Sequence, residues 1–244
     1  MIEDILTPLV CERYLHDPHY REGHIRIIAP RPGTRILGLH TPEMKMVAKR
    51  FVKEGRADEI LDAFEREQKA MRDGIQPLTH DERMIWGLVI DYMKCPLEKR
   101  LERIEAFLPA VDNWAICDNF CCNSAWVARC DHDILWPFLT GLSKRSEEFT
   151  IRVSLILAMA NFLNDMSIHK VFGLIDGIGL RENEPYYIRM AVAWTLATAL
   201  AKQKEVTYRY LRGASLPADI LKLYARKVRE SLRTRDWPAF QDMD

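Results

Sequence analysis

Residues 186–202, YYIRMAVAWTLATALAK, run for seventeen positions without a glycine or proline. They show none of the period-two alternation that a half-buried strand would carry, so the stretch reads as a helix. Its apolar run from Met190 to Ala201 is bounded by Arg189 and Lys202 and falls short of the ~18 residues that a membrane span needs. A cluster of break-forming residues from Gly177 to Pro185 precedes it. That fixes its start.

Working outward, the same pattern recurs in both directions. Thr41-Pro42-Glu43 opens a helix with a capping residue, a first-turn proline and an acidic residue near the positive end of the dipole. Helical segments follow as FVKEGRADEILDAFEREQKAM, ERMIWGLVIDYM, PLEKRLERIEAFL, NWAICDNFCCNSAWVAR, ILWPFLTGL, EEFTIRVSLILAMANFL, the Ile168 region, EVTYRYL and ADILKLYARKVRESL. Breaks fall at Gly74 to Pro77, Cys95-Pro96, Pro109 to Asp112, Gly141 to Ser146 and Arg212 to Pro217. From Leu78 onward the helices pair at roughly 32 to 38 residues, the length of a two-helix unit. The expected fold is all-α, a HEAT-like α-α superhelix of antiparallel helix pairs, with a compact non-repeating helical domain as the alternative. Residues 1–244 are expected to form one such domain. Within it, 1–40, which includes HDPHYREGHIRIIAPRPGTRILGLH, is expected to be an irregular N-terminal arm. Asp17-Pro18 there reads as exposed loop, and His16, His19 and His24 as solvated side chains.

The composition is that of an ordinary globular protein, 48% apolar and 29% charged. Lys plus Arg equals Asp plus Glu at 35 each, so an anion-binding surface must come from segregated charge. The first ten residues, MIEDILTPLV, carry acids where a secretory signal carries bases, which predicts a cytoplasmic location. Six cysteines without regular spacing read as reduced thiols. Cys117 and Cys121 share a helix face, but Cys122 and Cys130 do not and no C-x-x-C pair exists, so no metal site is expected.

Three segments carry chemistry. In Val111-Asp112-Asn113-Trp114-Ala115-Ile116-Cys117-Asp118, Asp112 is a candidate N-cap. Trp114 and Asp118, four residues apart, stand on one face about one turn apart. In Glu148-Phe149-Thr150-Ile151-Arg152 a lone arginine heads an apolar helix. Tyr186 to Trp194 brings a second indole. An N-W-x-x-x-D helix start, an E-E-F-x-x-R helix and an R-M-A-V-A-W helix, in this order and at these separations, resemble the DNA alkylation repair family of HEAT-like DNA glycosylases. The resemblance covers about Thr41 to Leu232.

It implies a concave basic cradle around duplex DNA and removal of purine bases made cationic by alkylation at N3 or N7. Carried over, Asp118, Trp114 and Trp194 form the catalytic cluster and Arg152 contacts the DNA backbone beside it. Arg189, Lys45 and Lys49 are further DNA-binding candidates. No cofactor is implied, the partner is alkylated duplex DNA, and a monomer is expected. Where active relatives carry a basic residue about three places after the second indole, this chain has Ala197.

The residue types suit that reaction. A cationic base is already a good leaving group, so positive charge growing on the deoxyribose is what needs stabilising. A fixed carboxylate such as Asp118 does this, and two indole faces add to it. Other readings stay open. Trp114 and Trp194 could be core filler, Asp118 could bond a neighbouring helix end, and Arg152 could pair with Glu148 one turn earlier. Two rival functions remain: a catalytically silent recogniser of branched or damaged DNA, and a protein-binding scaffold.

Overall fold

The computed structural model describes residues 2–71 and 77–240. The Gly74 part of the expected break lies outside them. The chain divides into two compact units, Met1–Cys130 and Asp131–Asp244. The first holds α1 (Glu3–Leu6), α2 (Glu12–His16), α3 (Pro18–Ile28), α4 (Thr41–Lys53), α5 (Ala57–Lys69), α6 (His80–Tyr92), α7 (Leu97–Phe107) and α8 (Trp114–Asn123). The second holds α9 (His132–Ser143), α10 (Glu148–Phe162), α11 (Ile168–Gly177), α12 (Tyr186–Lys202), α13 (Lys204–Gly213) and α14 (Ala218–Glu230). Short 3-10 turns occupy 7–9, 108–110 and 127–129, and no strand occurs among the described residues. The expected all-α, HEAT-like fold is the one observed. No helix among the described residues is long and apolar enough to cross a membrane.

Packing follows the repeat spacing. In the first unit α4 lies on α6 and α6 on α8; in the second α10 lies on α12 and α12 on α14. These helices begin at Thr41, His80 and Trp114, and at Glu148, Tyr186 and Ala218. From His80 onward the starts recur at 32 to 38 residues. α6 and α10 are buried along most of their length, so they read as apolar or satisfied all round rather than amphipathic. α5 and α14, covering helices, keep a polar face.

An aromatic file runs through the core of the first unit. Phe64 stacks on Trp86 at 5.7 Å, Trp86 meets Phe107 at 5.4 Å, and Phe107 meets Phe120 edge-on at 5.4 Å. Gly87 makes the close approach possible. A Cβ there would sit 3.0 Å from Phe107 Cζ and 3.2 Å from Phe120 Cβ. Gly87→Ala is expected to cost about 1–3 kcal/mol through overpacking, despite the better helix propensity of alanine. Urea unfolding measures this, and a stabilised variant would contradict it.

Several boundaries differ from the sequence reading. The segment 51–71 is two helices, because Gly55 takes a left-handed φ of 74° and ends the first of them. Thr41 lies inside α4, with His40 as the N-cap and no side-chain cap. The segment 113–129 breaks after Asn123, where Ser124 Oγ donates to the Cys121 carbonyl at 2.6 Å. Trp126 therefore lies between helices.

The largest difference is the first 40 residues, which carry three helices by Ile28. Asp17-Pro18 is a helix start and not a loop. The Asp17 carboxylate accepts from Tyr20 N at 3.0 Å and Pro18 fills the first turn, where its missing N–H costs nothing. Residues 29–40 do lack helix, yet they are tied down. The Asp81 carboxylate accepts from the amides of Leu37, Gly38 and Leu39 at 2.7, 3.2 and 2.8 Å, and His80 N donates to Arg35 O at 2.8 Å.

Candidate nucleic-acid site

The start of α8 is set by charge buried beneath it. Arg83 and Asp112 pair at 2.6 Å with side chains 0% and 3% exposed. Arg83 Nη1 also donates to Ala110 O at 3.0 Å. Asp112 was expected to cap α8, but its carboxylate is committed to Arg83, and the next residue caps instead. Asn113 Oδ1 accepts from Ala115 N at 3.0 Å and Ile116 N at 3.2 Å, while Asn113 Nδ2 donates to Asp112 Oδ1 at 2.9 Å. The chain of contacts from Arg83 through Asp112 and Asn113 fixes how α8 enters, and so how Trp114 and Asp118 are presented. Both are half-exposed, one turn apart on that helix.

His80 is buried against the same cluster, with Nδ1 3.4 Å from Asn113 Nδ2. Burial pushes its imidazole down to about 3, and the nearby Arg83 guanidinium and His24 push the same way. Burial also raises the Asp81 carboxyl, opposed by the three backbone amides that bond to it. A histidine neutral in the folded state but titrating near 6.5 when unfolded stabilises fully above that value and less as pH falls toward 3, by about 1.4 kcal/mol per unit. The stability difference between wild type and His80→Asn should therefore shift by about 2 kcal/mol against wild type between pH 7 and pH 5. Denaturant unfolding at both pH values tests this; a constant difference would mean that His80 is not held neutral.

In the second unit the structure brings Arg152 and Trp194 together. Arg152 is 3% exposed. Its guanidinium stands 5.7 Å from the Tyr187 ring centre and 6.0 Å from that of Trp194, and its Nη1 donates to Tyr187 O at 3.1 Å. Glu148 Oε1 accepts from Tyr187 N at 2.7 Å, satisfying an amide at the head of α12. Tyr187 thus gathers α10 and α12, a role nothing in its sequence context announced. Trp194 itself is half-exposed.

The other candidates are placed as follows. Arg189 pairs with Asp219 at 3.1 Å and is partly buried. Lys49 is exposed and lies 5.3 Å over the Tyr92 ring. Lys45, half-exposed, exerts a pull on the buried Asp91, whose carboxyl burial drives well above the usual range. Ala197 is 6% exposed. Cys117 and Cys121 are buried and Cys122 is exposed. His24, half-buried in α3, meets the Tyr14 ring edge-on at 5.4 Å.

A family model described as DNA alkylation repair enzyme matches residues 13–229. A solved structure described as a predicted DNA alkylation repair enzyme from Enterococcus faecalis has a similar fold. It is 15% identical, with a TM-score of 0.60, over 88% of this chain and 97% of that one. No curated protein matches.

Proposed function

Because the chain belongs to the DNA alkylation repair enzyme family, we propose that it is a DNA glycosylase that releases cationic N3- or N7-alkylated purines from duplex DNA. The observation that carries this reading is the pairing of Trp114 and Asp118 one turn apart and half-exposed on α8, on a helix start locked by buried charge. A carboxylate held beside an indole face suits a reaction whose transition state is a cationic sugar losing an already charged base. Asp118 stabilises the developing charge and orients the attacking water. Trp114 offers its ring face to that charge, worth of order 0.5–2 kcal/mol. Lys45 and Lys49 contact phosphates. Arg152, being buried, acts by holding Trp194.

A second reading is favoured by a specific observation. Two of the cations expected to meet phosphate, Arg152 and Arg189, are already engaged within the protein. A protein that recognises damaged DNA without cleaving it would be consistent with that. The experiment is release of free base, at low salt, from duplexes carrying N7-methylguanine or N3-methyladenine. Release supports the glycosylase. No release with salt-sensitive DNA binding selects the silent recogniser, and no binding at low salt favours a protein-binding scaffold.

A further inference from the structure

The Trp114 indole is held from the amino-terminal helices. Its Nε1 donates to Ile27 O at 2.9 Å. That carbonyl lies in the last turn of α3, where no later helical amide remains to bond it. An indole has a single donor, so this bond consumes it and leaves only the ring to meet a ligand. α3 then stops sharply, with Ala29 in the left-handed region at φ 49°. Beside the bond Ile27 is 67% exposed, with Ile25 at 39% on the same helix. Four residues on, Arg31 is exposed and makes no ion pair among the described residues, whereas Arg35 is held by Glu3 at 2.7 Å. An exposed isoleucine and an uncommitted arginine thus stand at a helix end fastened to an aromatic candidate of the site.

We propose that the end of α3 is a wall of the alkylated-nucleotide site, with Ile27 contacting the nucleotide and Arg31 its phosphate. This rests on the glycosylase reading. Apolar side chains set against the minor groove displace water and wedge base steps, and an adjacent arginine suits the negative potential there. Excluding water also strengthens the field of a carboxylate on a cationic sugar, because the local dielectric falls. Trp114 is then both a ring face and a tether that positions the wall.

The test compares wild type, Ile27→Ser, Trp114→Phe and Arg31→Ala, each first checked for wild-type thermal unfolding. Single-turnover release of N7-methylguanine and affinity for the modified and the unmodified duplex are measured. Ile27→Ser should slow release about tenfold and lower the preference for the modified duplex, with affinity for the unmodified one nearly unchanged. Trp114→Phe, which keeps a ring but loses the donor, should show the same pattern. Arg31→Ala should weaken both duplexes alike and reduce the salt dependence by about one counterion. Ile27→Ser indistinguishable from an active wild type overturns the wall and leaves the glycosylase standing. Wild type that neither releases base nor binds DNA overturns both. Wild type that prefers the modified duplex without releasing base overturns only the chemistry, and the same affinity comparison then decides for or against the wall.

Discussion

Asp118→Asn should slow release of N7-methylguanine by about 10²- to 10³-fold, the usual loss when one preorganised group facing transition-state charge is removed. The substitution keeps size and hydrogen-bonding capacity but removes the negative charge. Asp118 is half-exposed and lies beyond the first turn of α8, so folding should change little, and a thermal melt within a few degrees of wild type would verify that. DNA affinity should hold or rise slightly, because a negative charge near phosphate has been deleted. The signature is a fall in rate without a fall in binding. Release by Asp118→Asn at the wild-type rate would remove the carboxylate from the mechanism and leave the indoles to explain any activity.

Asp112→Ala should cost about 3–5 kcal/mol of folding stability, the expected penalty for stranding one member of a buried ion pair. Arg83 is fully buried, and its Nη2 already lacks a partner. Removing Asp112 leaves a guanidinium with only backbone carbonyls, Ala110 O and Thr79 O, to meet its charge. It also takes from Asn113 Nδ2 the shorter of its two contacts, leaving His80 Nδ1 at 3.4 Å, so the cap of α8 loosens with it. Replacing both partners with apolar residues of similar volume should recover most of the loss. Chemical unfolding of the single and double variants distinguishes the two; a single variant within 1 kcal/mol of wild type would show that water reaches Arg83.

Helices dominated by local signals were legible in the sequence. The stretch 186–202 and the spacing of paired helices needed only period, length and break residues. What was not legible depended on partners far along the chain. Asp112 looks like a cap because it precedes a helix; only the buried Arg83, 29 positions earlier, takes its carboxylate away. Thr79 to Glu82 does carry the S/T-x-x-E signature that opens α6, and both of its hydrogen bonds form. Asp17-Pro18 was ambiguous by nature, since a residue before proline suits a loop as well as a cap. Trp114 and Asp118 could be placed on one helix face by spacing alone. The indole's bond to Ile27 O spans 87 positions and follows from no local rule.

The three amides held by Asp81 bear on how the molecule opens. Residues 37–39 belong to no helix, yet their hydrogens are anchored to the buried first turn of α6. Exchange of those amides with solvent deuterium should follow the rate of α6 itself and not that of a surface loop, because they are freed only when the Asp81 end of α6 is exposed. The stretch before α4 then unfolds as part of the same cooperative unit as the core helix to which it is bonded.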